Sequence, residues 1–318
     1  MAVSRDSRIS VIINTYNEEK NLSYALRSVK AWSDEIVVVD MHSEDRTVAI
    51  AREFGANVYF HERVGFADPA RAFAIAQTTG DWVLILDADE LIPAPLGEKI
   101  REIVRDDLAD VVTFPREEYF FGAPLRFTGW GPQQSKHTRF FKRDSLQANA
   151  AIHDFLTPLP EARILDLPYE PGRAMIHFAY LDITQYMDKL NRYSTIEVRQ
   201  SRARGEYATP AWVSRDMRPY PPLLALFQER TTPGWALLYA FAVFLSRYMK
   251  NRGYRDGWRG MYVSLFTAFY FLVSYAKLAE QELVGTRETV ERAYQDEAER
   301  ILRLYETEQH QPAALTRT

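Results

Sequence analysis

Asp87, Ala88 and Asp89 close an apolar run, Trp82-Val-Leu-Ile-Leu-Asp87, and set two carboxylates at i and i+2 around a small residue. A carboxylate at the end of an apolar strand is costly unless a donor, water or cation satisfies it. Two acids at this spacing reach one divalent cation, or one cation and a ribose. Hard oxygen ligands suit Mg²⁺ or Mn²⁺ rather than zinc or copper. Mg²⁺ keeps waters and is shared between one or two carboxylates and substrate phosphates, so a nucleoside diphosphate is the natural co-ligand. Asp40 ends a second apolar run, Glu35-Ile-Val-Val-Val-Asp40, and Thr15-Tyr16-Asn17-Glu18 comes after a third, Ile9-Ser-Val-Ile-Ile-Asn14. An isolated Asp-x-Asp is far more often a helix-capping turn than a site. Acids at analogous strand ends favour the site, because open parallel sheets bind ligands beyond the carboxyl ends of their strands. Neither a Walker-A sequence nor Gly-x-Gly-x-x-Gly follows the first run, which argues against a P-loop or dinucleotide-binding enzyme.

The elements that must carry these residues alternate in type. Strands are predicted at 9–14, 35–40, 57–61 and 82–87. Between them run a helix through Leu22, Ala25, Leu26 and Val29, a second over 47–54 and a third over 69–77. Continuous β-branched runs between amphipathic helices mean strands covered on both faces, hence an α/β fold with a parallel sheet of βαβ units. After Pro93 the pattern predicts a helix over 96–105, a strand over 110–115, an irregular aromatic stretch over 119–132 and a strand over 138–142. Asp182 is placed to cap a helix running to about residue 204. Arg218-Pro-Tyr-Pro-Pro222 marks a boundary, since proline cannot occupy a helix interior. The expected organisation is a catalytic domain over 1–205 (donor half 1–95, acceptor half 96–205), a helical extension over 206–308 and a tail over 309–318.

Composition bounds the rest. Across 318 residues, 39 basic and 43 acidic side chains leave a charge of −4, which argues against a nucleic-acid partner. The absence of cysteine excludes a disulfide scaffold, thiolate catalysis and a cysteine zinc site. No secretory leader is read at 1–10, and the expected location is cytoplasmic, at the cytoplasmic face of the inner membrane.

Three blocks together resemble the inverting family 2 glycosyltransferases of the GT-A fold. They are Ser10-Val-Ile-Ile-Asn-Thr-Tyr-Asn-Glu-Glu19, the Val39-Asp40 strand end with Ser43, Asp45 and Thr47, and Gly80-Asp-Trp-Val-Leu-Ile-Leu-Asp-Ala-Asp-Glu90. Ile152-His153-Asp154, Ile176-His177-Phe178 and the Asn251–Lys277 stretch are similar to the lipopolysaccharide-core β-glucosyltransferase branch. The resemblance implies a GT-A sheet with a helical C-terminal extension, a nucleotide-sugar donor (UDP-linked), a divalent Mg²⁺ or Mn²⁺, and a glycolipid or saccharide acceptor. It places Thr15, Tyr16, Glu18 and Asp40 at the nucleoside, Arg71 near the donor, and Asp87 and Ala88 at the ribose or metal side. Asp89 falls on the metal and diphosphate, His177 on the metal or a phosphate, and Asp154 at the general base, with Glu117 or Glu118 next in line. The sequence departs from the family pattern at Asn14, where proline is common, at Ala72, where asparagine is common, and at Gln133, where an acid follows Trp-x-Pro.

Rival readings differ in chemistry. A polyprenyl-phosphate glycosyltransferase shares the donor half, a metal-dependent nucleotidyltransferase or phosphohydrolase shares the sheet, and a scaffold that has kept the fold needs no chemistry. In the last third, 235–245 and 261–276 are uncharged and aromatic, each short of the roughly 20 residues that span hydrocarbon. Arg247, Lys250, Arg252, Arg255 and Arg259 lie between and beside them with Asp256. This pattern predicts peripheral contact with an anionic membrane; a hairpin buried against the protein or in a dimer is the alternative. Val290, Tyr294, Ile301 and Tyr305 form a stripe suited to self-association of the C-terminal helices.

Overall fold

The computed structural model describes residues 7–63, 68–148, 156–203 and 233–309. The first part alternates β1 (Ile9–Thr15), α1 (Leu22–Val29), β2 (Glu35–Asp40), α2 (Thr47–Glu53), β3 (Asn57–Phe60), α3 (Asp68–Ala76) and β4 (Trp82–Asp87). Next come β5 (Glu90–Leu91), α4 (Ala94–Arg105), β6 (Val111–Phe120), β7 (Ala123–Pro124), β8 (Lys136–Lys142) and β9 (Leu146–Ala148). The remaining elements are β10 (Leu156–Pro158), β11 (Ile164–Asp166), β12 (Met175–Tyr180), α5 (Ile183–Ala203), α6 (Pro233–Leu245), α7 (Gly257–Leu283) and α8 (Arg287–Gln309).

One large sheet runs β3-β2-β1-β4-β8-β6-β12-β5, with β7 and β11 also paired to β6. Strands β3, β2, β1 and β4 are mutually parallel. Side chains alternate along β1, β2 and β4 into two buried layers. Val11, Ile13, Val38, Leu84 and Leu86 pack on one face with Leu22, Leu26, Leu96 and Ile100 of α1 and α4. Ile12, Val37, Val39, Val83 and Ile85 pack on the other with Ala70 and Ala74 of α3. Burial on both faces is why these strands read as unbroken apolar runs. The fold is α/β, with one large mixed sheet and helices after it in the chain.

The second half of the sheet is mixed. β8 inserts antiparallel between β4 and β6, while β12 lies parallel to β6. β6 runs five residues beyond the predicted strand end at 115, through Arg116-Glu-Glu-Tyr-Phe120, because β12 and β7 supply hydrogen-bonding edges there. Asp182 caps α5 as expected, accepting from the Gln185 N–H at 2.7 Å.

The chain divides into two compact units, Met1–Asp188 with Val243–Phe266, and Lys189–Ala242 with Thr267–Thr318. In the second unit, Lys277 Nζ donates to Asn191, Ser194 and Thr195 of α5. Residues 218–222 lie outside the described part of the chain.

Candidate active site

Strand register brings the candidate residues to one edge. Thr15 pairs with Asp40 and Asn14 with Asp87, so β2, β1 and β4 end together. Asp40 is fully buried and engaged by protein donors. Thr15 Oγ1 donates to Oδ2 at 2.9 Å, the Ser43 N–H to Oδ1 at 2.8 Å and the Ser43 hydroxyl to Oδ2 at 2.5 Å. In this arrangement Asp40 shapes the loop after β2. Thr47 Oγ1 accepts from the Glu18 N–H and Asp45 from the Glu19 N–H, which ties that loop to the one after β1. Arg63 lies over the Tyr16 ring, 3.9 Å from its centroid.

Asp87 is held by two guanidinium groups. Arg71 Nη2 donates to both carboxylate oxygens, at 2.6 and 2.9 Å, and Arg139 Nη2 donates to Oδ2 at 2.9 Å. Burial pushes this carboxyl up, but Arg139 and Arg71 outweigh it and hold it well below the usual carboxylate range. Arg139 Nη2 also lies 3.4 Å from Glu90 Oε1, so this guanidinium is shared between two acids. Ala88 is buried. The short strand β5, not a helix, comes directly after Asp89, so Asp87-Ala88-Asp89 is not a helix cap.

Asp89 and His177 come from opposite ends of the fold's second half. His177 on β12 sits in register between Glu118 of β6 and Glu90 of β5. Its Nδ1 is 2.6 Å from Glu118 Oε2, and its Nε2 is 3.5 Å from Asp89 Oδ2. The Phe178 N–H donates to the Asp89 carbonyl at 3.0 Å, fixing the Asp87–Glu90 turn against β12. Glu118 therefore orients the imidazole from behind, with Nε2 turned toward Asp89. This carboxylate–imidazole pairing is the arrangement that steers a ligating histidine.

Beneath the rim lies a buried ion network. Arg116 donates through Nη1 to Glu90 Oε1 and through Nε to Glu118 Oε1, both at 2.7 Å. Glu90 Oε2 accepts from the Asp87 N–H at 2.8 Å, and Ser135 Oγ donates to Glu118 at 2.9 Å. Sequence reasoning missed Arg116 and Arg139. The available signal was three consecutive charges, Arg116-Glu117-Glu118, continuing an otherwise apolar strand; charges buried in a sheet must find partners.

Glu118 is also unsuited to act as a base. Burial raises its carboxyl, yet Arg116 and His177 overcome this and hold it far below the usual range. Glu117 accepts from Tyr169 Oη at 2.9 Å and lies 3.5 Å from Arg126. Asp154 lies outside the described residues.

Burial and Arg116 push His177 down, while Glu118 and Asp89 outweigh them and raise it to about 9. A raised folded-state value stabilises the protein fully below the unfolded value near 6.5, and this contribution is lost as pH rises through 9. The depressed Glu118 and Asp87 act oppositely: their contribution is present above about pH 4.5 and is lost as pH falls. Stability measured in chelator should thus fall by about 3 kcal/mol between pH 6.5 and 9. The Asp89→Asn protein should lose less over that interval. Equal pH profiles for the two, from urea titrations, would contradict the His177 assignment.

Among the described residues no group of three or more His, Cys, Asp or Glu side chains is arranged to hold a metal by itself. Asp89 would offer an oxygen ligand, and His177 a nitrogen once its Nε2 has given up the proton that Asp89 and Glu118 favour. Two such ligands suit a cation whose other ligands are phosphate oxygens and water.

The family model for glycosyl transferase family 2 matches residues 10–156. An uncharacterized glycosyltransferase of Rickettsia felis is 26% identical over 87% of this chain and 91% of its own length. A lipopolysaccharide core biosynthesis glycosyltransferase, LpsC, of Rhizobium meliloti is 24% identical over 90% of this chain and 97% of its own. Among solved structures, glucosyl-3-phosphoglycerate synthase from Mycobacterium tuberculosis, in complex with Mn²⁺, UDP and glucosyl-3-phosphoglycerate, is 25% identical. That match covers 37% of this chain and 46% of the other, with a TM-score of 0.31. Residues 10–156 are a glycosyl transferase family 2 domain, and the protein is a glycosyltransferase.

Proposed function

We propose that the protein is a metal-dependent inverting glycosyltransferase. It moves a sugar from a nucleoside-diphosphate donor, UDP-linked, to a membrane-borne glycolipid such as a lipopolysaccharide-core precursor, at the cytoplasmic face of the inner membrane. The observation that carries this reading is the pairing of Asp89 with His177, oriented by Glu118, beside Asp87 in its two-guanidinium clamp.

Asp89 and His177 would hold Mg²⁺ or Mn²⁺. Bound there, the cation would neutralise charge developing on the departing diphosphate. Arg71 and Arg139 add positive charge at the same edge, and their hydrogen bonds keep Asp87 ionised and oriented. The acceptor hydroxyl oxygen attacks C1, the bond from C1 to the phosphate oxygen breaks, and the nucleoside diphosphate leaves with the electron pair. Asp154 takes the hydroxyl proton. The loop over 121–134 approaches the acceptor, and Tyr16 with Arg63 lines the nucleobase side.

Asp154→Asn should retain donor binding and lose transfer by about 10² to 10⁴, the usual contribution of a positioned base. Unimpaired transfer would move the base to Glu117, or point to a phosphate acceptor, which brings no proton to remove. Product analysis tests the reaction class. Release of nucleoside diphosphate with a sugar of inverted anomeric configuration supports the reading. Nucleoside monophosphate or pyrophosphate would replace it with nucleotidyl transfer or phosphohydrolysis.

A further inference from the structure

We infer that residues 249–265 are a bilayer-surface anchor for anionic lipid, wired directly to the loop over 121–131. The inference rests on the glycolipid reading above and deepens it by naming the surface through which enzyme and acceptor meet.

Trp258, Met261, Tyr262 and Leu265 recur at helical spacing along the start of α7, and each is 41–50% exposed. Gly260, Val263 and Ser264, on the opposite face, are buried. A helix packed on a water-soluble protein puts its apolar stripe inward; here a second apolar stripe faces out. Just before it, Met249 and Tyr254 are also at least half exposed. Six large exposed side chains within 17 residues mark a contact surface.

Charge says what covers it. Between Ser246 and Leu265 there are five basic residues and one acid, Asp256. Lys250, Arg252 and Arg255 are exposed among the apolar side chains. Asp256 is turned inward, where its carboxylate accepts the N–H groups of Arg126 and Phe127 at 3.0 and 2.9 Å. Outward-facing aromatic and aliphatic groups ringed by cations match the headgroup layer of an anionic leaflet.

The helix over 253–281 is long and apolar enough to cross a membrane by length and composition, unlike the shorter uncharged runs read from sequence. The packing of its first turns fits a surface position instead. A Cβ on Gly260 would overlap the carbonyl oxygen of Gly253, and Arg259 donates to the Phe121 carbonyl at 2.9 Å. A helix with one face committed to protein in this way leaves only the other for lipid.

The same elbow holds the 121–131 loop. Besides Asp256 and Arg259, Arg247 Nη1 donates to the Thr128 carbonyl at 3.0 Å, and the Asn251 carbonyl accepts from the Thr128 N–H at 3.2 Å. Insertion of the stripe therefore sets the height of that loop above the headgroups.

Flotation with vesicles of phosphatidylcholine containing about one third phosphatidylglycerol tests the inference at low salt. Full-length protein should float with these vesicles, should float less in high salt or with phosphatidylcholine alone, and should be released by alkaline carbonate. Trp258→Glu/Met261→Glu/Leu265→Glu should reduce the bound fraction at least about tenfold, and Lys250→Glu/Arg252→Glu should reduce it on anionic vesicles only. Both variants alter exposed side chains, and unchanged circular dichroism with unchanged UDP binding in Mn²⁺ would show them folded. Wild-type protein that stays with the soluble fraction, or an apolar variant that floats like wild type, would overturn the inference. Resistance to carbonate would overturn it in favour of a spanning helix. If wild type floats but fails to bind UDP, the surface stands and the donor reading falls.

Discussion

Asp89→Asn is expected to reduce transfer about 10³-fold, a loss of about 4 kcal/mol of transition-state stabilisation, while the protein stays folded. Asp89 is one of the two side chains proposed to hold the cation, and the other, His177, stands 3.5 Å away. An amide keeps the shape of the side chain and removes its charge, so the variant loses ligand strength without opening a cavity. Asp89 is partly accessible, and its backbone carbonyl, which accepts from Phe178, is untouched. The change should appear in turnover and in metal dependence, and at neutral pH it should lower the urea midpoint only by the part of the His177 contribution that Asp89 supplies. Wild-type turnover in this variant would remove Asp89 from the chemistry.

Arg116→Met is expected to have the largest effect on stability. Arg116 is 6% exposed, and its guanidinium joins two wholly buried carboxylates, Glu90 and Glu118. Removing it leaves both acids without their main countercharge, and breaking a buried pair from one side typically costs about 3–5 kcal/mol. Arg116→Lys should recover only part of this, because one ammonium cannot reproduce the Nη1 and Nε contacts to two different acids. Combining Arg116→Met with Glu118→Gln should be less destabilising than the sum of the two, since the amide relieves one orphaned charge. Urea denaturation of the four proteins reads this directly. A cost for Arg116→Met below about 1 kcal/mol, the range of exposed pairs, would show that the network is dispensable.

How much of this was legible in the sequence depends on the range of the interactions involved. β1, β2 and β4 stand almost where apolar runs place them, because a strand covered on both faces needs an apolar residue at nearly every position. The acids at their ends are equally visible, since Asp40, Asp87 and Asp89 interrupt those runs at corresponding points. The features that escaped all depend on the strand order of the second half. Arg116, Arg139 and Glu118 look like ordinary charges until β8 is inserted between β4 and β6 and β12 is laid beside β6. Only then does Arg139 meet Asp87, across 52 residues of sequence, and Glu118 meet His177, across 59.

The C-terminal elbow shows the same limit from another side. Its glycines and charges stand out as Arg252-Gly-Tyr-Arg-Asp-Gly-Trp-Arg-Gly260, but their purpose is close packing that composition does not express. Gly253 lies against the side chain of Thr128, and Asp256 binds backbone 130 residues away. In the sequence Asp256 stands as the one acid among the elbow's basic residues. In the fold it is turned away from them and leaves the basic face undiluted.

Asp89 and His177 are proposed to grip a divalent ion together with the donor's diphosphate. Coupling between the two ligands is reciprocal, so each must tighten the other by the same factor. The direct measurement is Mn²⁺ binding to the wild-type and Asp89→Asn proteins, by electron paramagnetic resonance, with and without UDP. UDP should tighten Mn²⁺ at least about tenfold in the wild type, with Mn²⁺ tightening UDP equally, and the coupling should vanish in the variant. UDP that binds the wild-type protein with the same affinity in Mn²⁺ and in chelator would contradict the account.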